Sequence, residues 1–156
     1  MIATNQHTQP ATSGSGRVVV GIDDSDNARQ ALRCALEVAR RWDWHLTVVQ
    51  AWHLTYPAVP YGMVPPDVSV AVGEAAEESL RRIAKEVLGD SPDVSVTLRA
   101  REGFASAILV EESLGAELLV VGSRGRGGFA SLTLGSVSSA CVHHARCPVL
   151  VIRPHD

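Results

Sequence analysis

The sequence predicts an α/β protein: a doubly wound, five-stranded parallel sheet with helices on both faces. Three observations predict it. Short β-type runs alternate along the chain with segments whose apolar residues recur at helical spacing. The run Glu117-Leu-Leu-Val-Val121 is purely β-type and Val18–Asp23 reads as a buried strand, which fits a sheet covered on both faces. A chain of 156 residues with 46% hydrophobic residues has the size and composition of one domain with a sizeable core.

The elements follow in order. After the strand Val18–Asp23, Asp24-Ser25-Asp26 supplies an N-cap and early negative charge for a helix whose Ala28, Ala31, Leu32, Ala35 and Ala39 share one face. Leu46–Trp52 is the second strand. Beyond a proline-rich loop, Val72, Ala76, Leu80, Ile83 and Val87 recur at helical spacing up to Gly89, a C′ glycine. Val94, Val96, Leu98 and Ala100 alternate with Ser95, Thr97, Arg99 and Arg101, as in a half-exposed third strand. A helix over Phe104–Leu114 stops at Gly115, Leu118–Val121 is the fourth strand, Ser136–Ala145 the last helix and Val149–Ile152 the fifth strand.

The segment that carries chemistry is Gly122-Ser-Arg-Gly125-Arg-Gly-Gly-Phe-Ala-Ser-Leu-Thr-Leu-Gly135-Ser136. It runs from a strand, through glycines, into a helix start. Glycines let backbone approach an anion without Cβ clashes, and a helix N-terminus presents unpaired N–H groups at the positive end of its dipole. Phosphate is the natural guest. In doubly wound sheets ligands sit beyond the carboxyl ends of the strands where strand order reverses. An order of 3-2-1-4-5 puts that crevice between strands one and four, so Asp23 and Gly122 converge on it.

The glycine spacing resembles the nucleotide-binding signature of the universal stress protein family. Val18-Val-Val-Gly-Ile-Asp23-Asp-Ser25 looks like that family's first strand and nucleotide-facing acid, and His144-Ala-Arg-Cys-Pro-Val-Leu-Val-Ile-Arg153 like its closing helix end and last strand, so the likeness runs from about Arg17 to Arg153. The resemblance implies a small cytoplasmic α/β protein of the ATP-binding, dimerising branch, acting as a nucleotide-dependent regulatory or stress-response module. It places adenine against Gly21, Ile22, Asp23 and Ala51. Gly122 and Gly125 would admit ribose and phosphate to the backbone, and Gly135, Ser136 and Val137 would hold the terminal phosphates. Arg124 and Arg126 would add charge-assisted contacts, though the family does not fix these positions. Dimerisation through Val149–Ile152 is implied as well; this edge is bare of charge, whereas the other edge strand carries Arg99 and Arg101.

Other classes fit less well. The GxxxxGK[ST] motif is absent, the only lysine is Lys85, and no base for an attacking water can be named, which leaves ATP hydrolysis slow or incidental. Asp23 and Asp24 are the residues through which Mg²⁺ would associate with bound phosphates. A phospho-accepting receiver domain shares this sheet but needs an aspartate at the end of strand three, where Arg99 and Arg101 stand. A non-nucleotide-binding dimerisation module is the remaining alternative. A net charge of −3 offers no basic face for nucleic acid, and no apolar run spans a bilayer.

Several features have plainer readings. Met1–Gly16 reads as a flexible N-terminal tail ahead of a nucleotide-binding domain over 17–156. Cys34, Cys141 and Cys147 read as small apolar filler, with a zinc site of Cys141, His143, His144 and Cys147 as the sharper alternative. His143 and His144 suit the helix C-terminal dipole, and Trp42, Trp44 and Trp52 suit core or helix-end packing. Glu77/Arg81 and Glu78/Arg82 are i,i+4 pairs. His53–Asp67 is either a lid over adenine or a long connection.

Overall fold

Strand composition sets the centre of this molecule. The computed structural model describes residues 3–4, 16–54, 66–125 and 134–154. In chain order these form β1 (Ala3–Thr4), β2 (Arg17–Gly21), α1 (Asp26–Trp42), β3 (His45–Trp52), α2 (Pro66–Leu88), β4 (Val96–Glu102), α3 (Ala105–Glu112), β5 (Leu118–Gly122), α4 (Ser136–His144) and β6 (Val149–Ile152). All pairings are parallel, and the sheet order is β1-β4-β3-β2-β5-β6. The five strands read from the sequence therefore run 3-2-1-4-5 as predicted. A two-residue strand, Ala3–Thr4, adds to the β4 edge beside Thr97 and Leu98. An open edge offers a row of unpaired amides and carbonyls to any extended segment, which is why two residues of the N-terminal stretch pair there. The rest of 1–15 lies outside the described residues.

Two apolar layers fill the two faces. Val18, Val20, Leu46 and Val48 pack under α1 and α2, through Ala31, Leu32, Ala35, Leu80 and Ile83. Val19, Val49, Leu119 and Val121 point the other way, against Ile108 and Leu109 of α3 and Cys141 of α4. Consecutive valines in β2 thus serve opposite layers, the reason its sequence lacks polar alternation.

The helix ends follow local chemistry. Ser25 caps α1, its Oγ accepting from the Ala28 amide at 3.1 Å. α2 starts at Pro66, before the first periodic residue Val72, because proline's fixed φ and missing N–H suit a first helical position. It ends before Gly89, whose φ of 78° is left-handed. α3 closes at Glu112, two residues short of the predicted Leu114, where Ser113 Oγ donates to the Val110 carbonyl at 2.6 Å.

Several surface expectations change. Glu77 and Arg81 do pair at 2.8 Å, but Arg82 reaches Asp24 at 3.5 Å and not Glu78. Arg99 and Arg101 are not edge guards: both turn onto Glu112 of α3, at 2.9 and 3.0 Å. Trp42 is 61% exposed and stacks on Trp44, while Trp52 packs against Gly73 of α2. Cys141 is buried, which pushes its thiol up to about 11, and Cys34 and Cys147 are half-buried. His143 Nδ1 donates to the Ser139 carbonyl at 2.7 Å, tying the end of α4. Among the described residues no group of three or more His, Cys, Asp or Glu is placed to hold a metal, so Cys141, His143, His144 and Cys147 do not form a zinc site. No helix among them is long and apolar enough to cross a membrane.

Candidate functional site: a crevice at the switch point

β2 and β5 are neighbours whose chains leave the sheet in opposite directions, β2 into α1 and β5 toward α4. Their carboxyl ends open a crevice of about 480 Å³, within the range of small-molecule sites. Gly21, Ile22, Asp23, Ala51, Gly122, Arg124, Gly125, Gly135, Ser136 and Val137 all line it. Of the residues proposed from sequence only Arg126 is missing, because it lies outside the described residues, as do Tyr56 and Tyr61 of the lid segment.

The crevice has an apolar end and a polar end. Val49, Ala51, Ala105, Leu109 and Val121 form the apolar wall, at the ends of β3 and β5 and the start of α3. The polar end is the start of α4. Gly135 is its N-cap, with no side chain capping the helix, and the intrahelical ladder begins only at Ser139 N to Gly135 O, 2.9 Å. The amides of Ser136, Val137 and Ser138 precede that ladder, the arrangement that binds anions at helix starts. Arg124 adds a guanidinium whose Nε is buried with no partner among the described residues. A buried donor without an acceptor is costly, and an anion in the crevice would supply one.

Asp23 serves two structures at once. Its Oδ1 accepts from the Ser25 amide at 3.0 Å and from the Ser25 hydroxyl, fixing the cap of α1. Its Oδ2 faces Gly125 so closely that a Cβ there would stand 2.6 Å away. A side chain at Gly125 would therefore displace the Asp23 carboxylate where the two loops meet. Asp24 pairs with Arg29 Nη2 at 2.9 Å and with Arg82 at 3.5 Å and is not among the residues that line the crevice.

Three polar residues that build the loop were missed in the sequence. Ser123 is 1% exposed; its amide donates to the Ile152 carbonyl at 2.7 Å, and its own carbonyl accepts from Gly135 N at 2.7 Å and Ser138 Oγ at 2.9 Å. The two ends of the glycine loop are thus stitched together at one carbonyl. Asn27 of α1 donates to the Arg124 carbonyl. A signal existed for Asn27: it precedes Ala28 and lies four residues before Ala31, which puts a polar side chain beside the apolar stripe of its helix.

A doubly wound parallel sheet with a glycine loop and an uncapped helix start at its switch point defines an α/β domain of the doubly wound class. More specifically, the chain belongs to the universal stress protein family, whose family model matches residues 14–153. Over 140 residues it is 35% identical to a universal stress protein of Mycolicibacterium smegmatis, a match that takes in 88% of this chain and 45% of the relative. The chain spans about half the length of the curated relatives it matches. Universal stress protein UspA from Lactobacillus plantarum has the same fold, with a TM-score of 0.75 and 23% identity over 91% of this chain and 100% of that one. Two further structural neighbours are complexes. One is a universal stress protein with cAMP, at TM-score 0.57 and 24% identity over 90% of this chain and 98% of that one. The other, from Archaeoglobus fulgidus, is with dAMP, at TM-score 0.58 and 22% identity over 88% and 97%.

Proposed function

We propose that this protein binds an adenine nucleotide, ATP in the first instance, in the switch-point crevice and acts as a nucleotide-dependent regulatory module of the stress response. The observation that carries the reading is the crevice itself: one cavity joins an apolar wall, a carboxylate, an Arg124 Nε that is buried without a partner among the described residues, and the open start of α4. Val49, Ala51, Ala105 and Leu109 suit a base. Asp23 suits ribose hydroxyls, and Arg124 with the first-turn amides of α4 suits phosphate. The cAMP and dAMP complexes of the structural neighbours support the same ligand class.

Hydrolysis is slow or absent on this reading. The chain has one lysine, Lys85, which pairs with Asp90 on the surface, and Asp23 is engaged in capping α1. Such a site lacks the charge stabilisation that favours a phosphoryl-transfer transition state over bound ATP. Mass analysis of nucleotide co-purifying with native protein, followed by calorimetric titration with ATP, tests the reading. One adenine nucleotide per protomer and a turnover below about one per second, under the usual enzyme range, are expected. Protein that neither carries nor binds an adenine nucleotide would overturn it.

The module works as a cytoplasmic homodimer joined along β6. Pro148 and Ile152 direct their carbonyls to β5, so strand alternation turns the N–H and C=O of Val149 and Val151 toward the open edge. A charge at Val151 would confound the test, because that side chain also packs against the α3 and α4 layer. Val151→Pro removes the outward amide instead. It should convert a dimer to a monomer in light scattering at micromolar concentration; a wild type already monomeric there would refute the assembly.

A further inference from the structure

Asn27 stands in the first turn of α1 and is 8% exposed. Its Nδ2 donates to the Arg124 carbonyl at 3.0 Å and lies 3.5 Å from Ser123 Oγ. The orientation of this amide is fixed by chemistry, since a carbonyl only accepts and the nitrogen must face it. Two residues earlier on the same helix, Ser25 is bonded to Asp23, the acid of the other ligand loop. One rigid helix start therefore holds both halves of the crevice.

Gly122 gives a second, independent mark of this contact. A Cβ on Gly122 would stand 2.7 Å from Asn27 Nδ2 and 3.1 Å from its Cγ. A side chain at the first glycine of the loop would thus displace the Asn27 amide, whatever the ligand. All described peptides are trans, so holding the Arg124 carbonyl against α1 turns the following Gly125 amide away from α1. Asn27 does not line the cavity, so its effect on a ligand runs through the loop backbone.

We infer that Asn27 is the positioning residue of the glycine loop, selecting the backbone conformation that binds the nucleotide's phosphate; this rests on the adenine-nucleotide reading of the crevice. Without the Nδ2 donor, the Arg124 carbonyl loses its partner and the loop populates conformers that turn that carbonyl to water. Apparent affinity falls by the fraction of chains left in the competent conformer. The Asn27–Gly122 contact also makes the two positions energetically coupled.

The test is calorimetric titration with ATP of the wild type, Asn27→Ala, Asn27→Asp, Gly122→Ala and the Asn27→Ala/Gly122→Ala double variant. Loss of a positioning bond predicts about tenfold weaker binding for Asn27→Ala. Asn27→Asp should be at least as weak, because it keeps the size but as a carboxylate cannot donate. Gly122→Ala alone collides with the Asn27 amide and should also lose affinity. In the double variant the collision with Asn27 is gone and only the 3.3 Å approach of the new Cβ to the Arg124 carbonyl oxygen remains, so affinity should sit within about twofold of Asn27→Ala alone. Amide resonances of Gly122–Gly125 in the ligand-free protein should broaden or double in Asn27→Ala, while those of the β2 and β3 core stay in place. Wild-type affinity in both Asn27 variants, or additive losses in the double variant, would overturn the inference. A wild type that binds no ATP overturns the functional reading instead, and the ligand-free resonances still decide whether Asn27 holds the loop.

Discussion

Gly135→Val is expected to abolish adenine-nucleotide binding while the domain stays folded. The backbone accepts the change: φ at Gly135 is −75°, and a Cβ there would meet its nearest atom, the Ser123 carbonyl oxygen, at 3.4 Å. This sets Gly135 apart from Gly122 and Gly125, where a Cβ would strike Asn27 or Asp23. Valine is a poorer N-cap than glycine, a cost of about 1 kcal/mol, and a melting temperature lower by about 2–4 °C follows for a domain of this size. The effect on ligand is far larger. The Cβ stands 3.4–3.7 Å from Ser123 O, Arg124 Cα and Ser138 Oγ, so the branched methyls crowd the junction from which the first amides of α4 project and disturb their approach to a phosphate. Losing two charge-assisted hydrogen bonds at about 1.5–3 kcal/mol each weakens binding by roughly a hundredfold or more. Calorimetry with ATP, paired with a thermal melt, measures both quantities. Unchanged affinity would remove α4 from the phosphate site.

What could be read from the chain was whatever depends on pattern along it. The alternation of β-type runs with 3.6-residue periodicity gave the strands and helices, and the strand–glycine–helix order at Gly122–Ser136 gave the crevice, because both are local. What could not be read depends on contacts between distant segments. Arg99 and Arg101 look like solvated edge charges until α3 folds back and sets Glu112 against them. The glycines carry the same lesson: Gly122 and Gly125 looked like room for ligand, yet each makes room for a side chain of the first loop and its helix, Asn27 and Asp23. Ser123 is an ordinary serine in the sequence and the junction of the loop in space, since its role is made by Gly135, Ser138 and Ile152.

Glu112→Ala should produce the largest loss of stability among single substitutions at polar residues described above. The Glu112 side chain is 3% exposed and lies 2.9 Å from Arg99, 3.0 Å from Arg101 and 3.7 Å from Arg17. Arg17 Nη2 also donates to the carbonyls of Glu112 and Leu114, at 3.0 and 2.7 Å, so the guanidinium ties off the end of α3 as well. Burial pulls the Arg17 guanidinium below the usual arginine range, and Glu112 opposes that shift. Removing the carboxylate leaves three half-buried cations facing one another without their shared partner. Breaking a buried ion pair from one side costs about 3–5 kcal/mol, and the partial exposure of the arginines favours the lower end. At about 2–4 °C per kcal/mol, the melting temperature should fall by roughly 6–12 °C. Glu112→Gln keeps an acceptor and should lose less. Glu111→Ala, which removes an exposed partner of Arg101, should stay within about 1 kcal/mol. Because Ala105 and Leu109 of the same helix line the crevice, nucleotide affinity in Glu112→Ala should drop along with stability. A melting temperature for Glu112→Ala within 2 °C or so of wild type would mean that the arginines find other partners and that α3 is held by its apolar face alone.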